Sequence, residues 1–313
     1  MNAAALPTFS VIIPVFNGAR TLARAIDSVL NQSALAHEII VVDDASSDDT
    51  PEIAKAYGGK IRSLRFERNQ GVSAARNHGA RAATGSWLAF LDADDWYFPD
   101  RIKAHLQWIS EDPELDFLTA DYEYQDANGE LIGRSLEQHA AGRSLLNHAK
   151  ADDRAVMEVD LFEAFVSDHF GDTHTLSLPK ASFDRIGGYP LGFKVCEDVH
   201  FLTRLVARSR RVGVICRPLA VYVVHNNSAT RRDPVAAQVE NVRTLKALKR
   251  LAPAFSPAVR RGVNTRVRIG RLNLAYALHK AGRRADAIRA VLPSLIESPS
   301  LASVRDLLSI VRG

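Results

Sequence analysis

Four groups of side chains in this sequence have types and spacings that could do chemistry. The densest is Asp92, Asp94 and Asp95, at the end of the apolar run Trp87-Leu88-Ala89-Phe90-Leu91. Two carboxylates about 5 Å apart repel by roughly 3 kcal/mol at an effective dielectric of about 20, so a compensating group is expected. Oxygen ligands two residues apart, as in Asp92-x-Asp94, suit Mg2+ or Mn2+, which take few carboxylates and fill their shells with phosphate oxygens. Such an ion would offset the repulsion and neutralise a diphosphate as it departs. The structural alternative is three solvated turn residues ahead of a helix.

The second group is Asp43-Asp44, closing the run EIIVVDD. A strand-end carboxylate accepts the ring N–H of uracil, thymine or guanine; capping the next helix is the alternative, although Asp48 and Asp49 stand nearer that role. The third, Glu197-Asp198, opens a helical pattern, where the helix dipole favours carboxylates. Projecting into a cleft, such a carboxylate could serve as general base for a hydroxyl nucleophile. The fourth is His225, which ends AVYVVH and is a candidate third metal ligand or phosphate contact, or an ordinary structural histidine.

The elements that must position these groups alternate. Apolar, β-branched runs at 9–16, 38–44, 61–67 and 86–92 read as buried strands. Between them lie helical patterns at 19–33 and 71–85, a short helix behind an Asp49/Glu52 capping box, and a helix from Pro99 onwards. This alternation predicts a parallel sheet covered by helices, and in such sheets ligands bind outside the carboxyl ends of the strands. The loops Pro14–Gly18, Asp43–Ser46, Asn69–Ser73 and Asp92–Asp95 all fall there. Further on, Asn128-Gly129 marks a hairpin, 159–170 and 197–209 read as helices, and 211–225 as strands interrupted at Pro218. Beyond residue 233 the pattern is helical only, and 272–292 is similar to one helix-turn-helix unit of a tetratricopeptide array.

Composition narrows the class. With 46% hydrophobic and 24% charged residues, 313 residues suffice for a sizeable core in a globular protein. No apolar run approaches the roughly 20 residues of a membrane span, and no signal peptide is read at the N-terminus. Two cysteines, Cys196 and Cys216, fit reduced thiols in a cytoplasmic protein better than a disulfide framework. Of 40 Lys+Arg and 36 Asp+Glu, 15 and 4 fall in residues 240–313, leaving 25 and 32 for an acidic body. The basic tail, with Lys246-Lys249-Arg250 and Arg260-Arg261, is either a solvated helical surface or a contact for an anionic membrane. Nucleic acid is not expected, since no recognition motif accompanies the charge.

The ordered set SVIIPVFNG, EIIVVDDASSDDT, GVSAARNHGARAATGSWLAFLDADDWYFPDRI, FDRIGGYP and CEDVHFLTRL resembles family 2 glycosyltransferases of the GT-A fold, over roughly residues 8–230. The resemblance implies an α/β fold, a Rossmann-like, mostly parallel sheet flanked by helices. Residues 1–232 would form the catalytic domain, its nucleotide-sugar half at about 8–114 and its acceptor half at about 115–232. Residues 233–313 would form a basic, all-helical extension. The implied activity is inverting transfer of one sugar from a nucleotide-diphospho-sugar, a UDP-sugar favoured, to an acceptor hydroxyl in surface polysaccharide or glycolipid synthesis. Pro14 and Phe16 would flank the nucleoside, and Asp44, with Asp43 beside it, would bind the base. Asp92, Ala93 and Asp94 would form the DXD element at the diphosphate, with Asp94 the more direct ligand of Mn2+ or Mg2+. Asp198 would deprotonate the acceptor, and His225 falls, more loosely, where some members carry a histidine near the diphosphate. The Gln-x-x-Arg-Trp motif and membrane spans of processive synthases are absent, which favours a single transfer. Placement in the cytoplasm, with peripheral contact at the inner face of the membrane, follows.

Two other classes compete. A non-catalytic nucleotide-sugar-binding assembly protein would be expected to have lost one of Asp92, Asp94 or Asp198. A sugar-phosphate nucleotidyltransferase would carry a glycine-rich, basic N-terminal loop, which PVFNGARTL does not resemble.

Overall fold

A computed structural model describes residues 6–225 and 233–312. Its strands are β1 (Phe9–Val15), β2 (Glu38–Asp43), β3 (Arg62–Arg65), β4 (Trp87–Phe90), β5 (Trp96–Tyr97), β6 (Phe117–Gln125), β7 (Leu131–Arg134), β8 (Arg154–Met157), β9 (Ser177–Pro179) and β10 (Val212–Val223). The helices α1 to α9 are Leu22–Leu30, Thr50–Ala56, Val72–Ala82, Arg101–Glu111, Ser135–Gln138, Ala140–His148, Phe162–Asp168, Lys180–Ile186 and Glu197–Val206. After residue 233 come α10 (Pro234–Leu251), α11 (Pro257–Lys280), α12 (Arg284–Val291), α13 (Ser294–Glu297) and α14 (Leu301–Arg312).

The chain forms two compact units. The first holds the described residues up to Glu158, with Phe170–Gly192 and Ser209–Val224. The second holds Val159–His169, Phe193–Arg208 and the described residues from His225 on. Residues 159–169 and 193–208, expected within the catalytic domain, thus group with the late helices.

The first unit is built on one sheet of order β3-β2-β1-β4-β9-β6-β10-β5, with β7 on β6 and β8 on β10. β3, β2, β1 and β4 run parallel, as the β/α alternation predicts, and β10 runs parallel to β6. β9 is antiparallel to both β4 and β6 and joins the two parallel halves. β1, β2 and β4 are apolar because helices cover them, whereas β3, expected as a buried strand, is the sheet's edge and mostly exposed, with two of its four residues arginine. Val11, Ile13, Ile26, Val41 and Ala89 share one buried cluster with Leu118 and Ile215. On the other face α3 approaches closely: a Cβ on Gly79 would come within 2.6 Å of Ile12 Cγ2. That is why this helix is made of small residues.

Two local expectations are corrected. The Asp49 side chain makes no capping bond; Asp48 Oδ1 accepts from Thr50 N instead, at 3.1 Å. The interruption at Pro218 is a register shift within β10, which continues along β6 on either side. The Asn128-Gly129 turn forms as expected, with Gly129 at φ +85° and Asp126 accepting from Asn128 N at 2.8 Å.

In the second unit α11 is the long axis. A Cβ on Gly262 would lie 2.7 Å from Glu163 O, and one on Gly270 2.6 Å from Leu245 Cδ1, so glycine admits α7 and α10 to close crossings. Asp233 and Ser256 cap α10 and α11 ahead of Pro234 and Pro257. The stretch 272–292 forms a helical hairpin turning at Gly282, φ +76°. Val242, Leu274, Leu278, Val291 and Ile310 are its core. Arg271 holds Glu297 through two bonds of 2.7 and 2.6 Å.

Candidate active site

The carboxyl ends of β1, β2 and β4, neighbouring parallel strands, carry the first unit's expected site residues. β1 leads from the buried Pro14 to Phe16, which is 51% exposed and offers a ring face to solvent. Asn17 follows at φ +52°, and its amide donates to Ser46 Oγ at 2.8 Å, tying the β1 loop to the β2 loop. Gly18 is pressed against Val15, and a Cβ there would stand 3.7 Å from Ala93 Cβ. The β1 loop and the Asp92-Ala93-Asp94 turn are therefore in contact.

After β2, Asp43 and Asp44 are both buried. Asp43 Oδ1 accepts from Ser46 N at 2.8 Å, and Oδ2 lies 3.0 Å from the half-exposed Arg65 guanidinium. Asp44 accepts from Gln70 N at 2.7 Å and Gly71 N at 2.8 Å, one bond to each oxygen. These amides lead into α3, so Asp44 ties the start of that helix to the end of β2. Each carboxylate oxygen has a second acceptor site, and Asp43 reaches the surface through Arg65.

The three aspartates after β4 differ in surroundings. Asp92 accepts both bonds from Arg76 NH2, at 2.6 and 2.9 Å. Arg76 is buried on α3, its guanidinium 5.0 Å from the centre of the Tyr189 ring. Asp94 is half-buried at the turn, and its carbonyl accepts from Arg24 NH2 at 2.7 Å. Asp95 is 2% exposed; Oδ1 accepts from Val223 N at 2.9 Å, and Oδ2 lies 3.7 Å from His174 Nδ1. Burial, reinforced by Asp94 and Asp92, pushes the Asp95 carboxyl well above the usual range, while burial lowers His174. Asp92 is thus paired with Arg76 and Asp95 is buried, with the half-buried Asp94 between them at the turn.

No metal is needed to explain the packing of Asp92, and among the described residues no three His, Cys, Asp or Glu side chains group as metal ligands. Mg2+ and Mn2+ are held by one or two carboxylates plus phosphate oxygens, so Asp94 with a diphosphate fits their donor chemistry.

The remaining expected residues belong to the second unit. Asp198 sits in the first turn of α9; Oδ1 accepts from Val199 N at 2.8 Å and Oδ2 lies 3.3 Å from His169 Nε2. His225 is half-buried, and the Asn226-Asn227-Ser228 stretch after it lies outside the described residues.

Sequence reasoning missed Arg76, Asn77, Tyr189 and His169. Asn77 exchanges two bonds with the Tyr189 backbone, at 2.9 and 2.8 Å, and so fixes the Gly187-Gly188 turn, whose glycines both have positive φ. An arginine and an asparagine inside a helix of Ala, Gly and Ser were the available signal for the first two.

The model of the family described as glycosyl transferase family 2 matches residues 10–164. The chain is 30% identical over 273 residues to the succinoglycan biosynthesis protein ExoU of Rhizobium meliloti, covering 83% of this chain and 76% of that protein. Among solved structures it is similar to S. aureus TarS residues 1–349 in complex with UDP-GlcNAc, with a TM-score of 0.63, 18% identity, and coverage of 97% of this chain and 79% of that one. It is also similar to the mannosyltransferase PcManGT from Pyrobaculum calidifontis in complex with GDP-Man and Mn2+, with a TM-score of 0.61, 18% identity, and coverage of 99% and 81%.

Proposed function

The chain belongs to glycosyl transferase family 2, with the GT-A fold, and from that premise we propose that it transfers one sugar, with inversion, from a nucleotide-diphospho-sugar to an acceptor hydroxyl. A UDP-sugar is the favoured donor, and a surface polysaccharide or glycolipid precursor the acceptor class. In this reading residues 1–232 are catalytic, 8–114 taking the donor and 115–232 the acceptor, with 233–313 a helical extension.

The observation that carries the reading is the convergence of Phe16, the Asp43-Asp44 pair and Asp94 on the carboxyl edge of adjacent parallel strands, where such sheets take ligands. Phe16, after Pro14, offers a face for the nucleobase, and Asp44, with Asp43 beside it, an acceptor at the strand end. The Asp92-Ala93-Asp94 turn receives the diphosphate. Asp94, with diphosphate oxygens, would hold Mn2+ or Mg2+; His225 is a weaker third candidate. When bound, that ion supplies positive charge against the leaving diphosphate. Asp198 takes the acceptor proton as the acceptor oxygen bonds the sugar's anomeric carbon. The bond from that carbon to the diphosphate breaks, and its electron pair leaves with the diphosphate. No covalent nucleophile takes part.

The test is release of nucleoside diphosphate from a panel of UDP-, GDP- and dTDP-sugars with Mn2+. Turnover of at least one donor, lost on chelation, is expected. Neither binding nor turnover across the panel would sink the reading.

A second feature supports peripheral contact with an anionic membrane. Among the described residues no helix is long and apolar enough to cross a membrane. On α14, however, Leu301, Val304, Leu308 and Val311 are all exposed, and they share one face at helical spacing. Ser303, Asp306 and Ile310 on the opposite face are buried. Arg305 beside the stripe is exposed, as is Arg289 on α12, which pairs with Asp286 at 3.3 Å. A second copy of the chain would bring the same positive charge to this face, whereas anionic lipid complements it.

A further inference from the structure

We propose that His169 is a positioning residue for Asp198, gripping its carboxylate in the orientation a general base needs. This rests on the reading of Asp198 as the base.

His169 ends α7 in the left-handed region, at φ +56° and ψ +67°. For a residue with a Cβ that conformation costs roughly 1–2 kcal/mol, and glycine would end the helix without it. What glycine could not supply is the imidazole, whose Nε2 lies 3.3 Å from Asp198 Oδ2. Cys196, which precedes α9, is also left-handed, at φ +61°. Two strained residues thus set the His169–Asp198 pair, one on each side. Strain of this kind gathers where geometry is functional.

The contact acts on the base directly. Val199 N holds Oδ1 and the imidazole stands against Oδ2, so the carboxylate cannot swing about its χ2. Its side chain is still 24% exposed. An imidazole N–H donated from Nε2 orients the carboxylate. Other charged and titratable groups belong to the same surroundings. Glu197 and the Cys196 thiol, pushed up to about 12 by burial and by Asp198, precede Asp198 on its own segment. His200 and Arg204 follow it on α9, Asp168 stands beside His169, and Glu163 on α7 pairs with Arg261. From α11, Arg266 donates to Ser167 O, and from α10, Arg243 stacks on Phe193.

The experiment compares His169→Ala, His169→Gln and Asp198→Asn in full-length protein. The readouts are release of nucleoside diphosphate from the panel donor turned over fastest, with Mn2+, and thermal melting. His169→Ala is expected to lower kcat about 10- to 100-fold with the donor KM unchanged. His169→Gln, which keeps an N–H donor, should recover most of that loss. Wild-type kcat in His169→Ala alongside a dead Asp198→Asn would overturn the inference and leave the base reading standing. Full activity in Asp198→Asn would overturn both. A kcat loss that tracks a fall in melting temperature and is not rescued by glutamine would mean that His169 is only structural.

Discussion

Among single residues, the three aspartates after β4 have separate fates, and each makes a separate prediction. Asp94→Ala should abolish transfer while unfolding free energy stays within about 0.5 kcal/mol of wild type, because a half-buried turn carboxylate carries little packing. Asp95 behaves differently. Its raised value means that the folded state holds a proton the unfolded chain releases near pH 4. Its contribution is therefore fully present below about pH 4 and is lost as pH rises through the folded value. Asp95→Asn keeps an acceptor for Val223 N and never ionises. Its melting temperature should match wild type at pH 4 and equal or exceed it at pH 8; a deficit at pH 8 would show that the charged carboxylate is the native one. Asp95→Ala, leaving Val223 N unpaired, should lose about 1–3 kcal/mol. Arg76→Ala exposes the Asp92 charge and removes the stack on Tyr189; we expect a loss of about 2 kcal/mol in urea denaturation, less than for a fully buried pair because Asp92 is partly hydrated. That carboxylates gather at strand ends was legible, because apolar runs end where they begin. The group that offsets their repulsion was not, because Arg76 lies 16 residues away on another element.

For whole elements, the alternating half of the fold was legible in both element type and pairing, and the inserted half in its Asn128-Gly129 turn, its helices at 159–170 and 197–209 and its strands near 211–225, but not in how its strands pair. β1, β2, β4 and their helices are long apolar or amphipathic segments whose periods differ. β8, at Arg154–Met157, is too short to show a period and takes its place from its neighbour β10. β9 in particular is an antiparallel strip between β4 and β6, which no local pattern announces. The small-residue helix α3 was read correctly as helix, but its composition has a packing cause that only the structure supplies. A methyl group at Gly79 has no room between Ile12 Cγ2 at 2.6 Å and Val42 Cγ2 at 3.1 Å. Gly79→Ala should therefore cost about 1–3 kcal/mol despite the better helix propensity of alanine. Because α3 also carries Arg76 and receives Asp44 at its start, donor KM should rise with it. Unchanged stability and KM would mean that α3 can shift outward without disturbing the loops it braces.

Across the whole chain, the charge asymmetry was legible as a count, but not which cations remain available. Two clusters singled out in the tail are partly engaged in packing. Lys249 Nζ donates to Glu297 O at 2.6 Å, Arg260 donates to Phe255 O at 3.3 Å, and Arg261 pairs with Glu163 at 2.6 Å. The α14 stripe with Arg305 is the better candidate for lipid contact, with Arg289, paired to Asp286, a lesser contributor, since apolar burial and charge act there together. Apolar insertion resists salt, whereas attraction to lipid charge is screened over about 10 Å at 0.1 M. Vesicles of phosphatidylglycerol and phosphatidylcholine separate the two effects. Wild type should sediment with the anionic vesicles and weaken in 0.5 M salt without being lost. Leu301→Ser with Leu308→Ser should bind weakly and release fully in salt, while Arg289→Glu with Arg305→Glu should lose the preference for anionic lipid but keep residual binding. If the serine pair instead leaves vesicle binding intact and turns a dimer into a monomer on size exclusion, the stripe joins two copies of the chain.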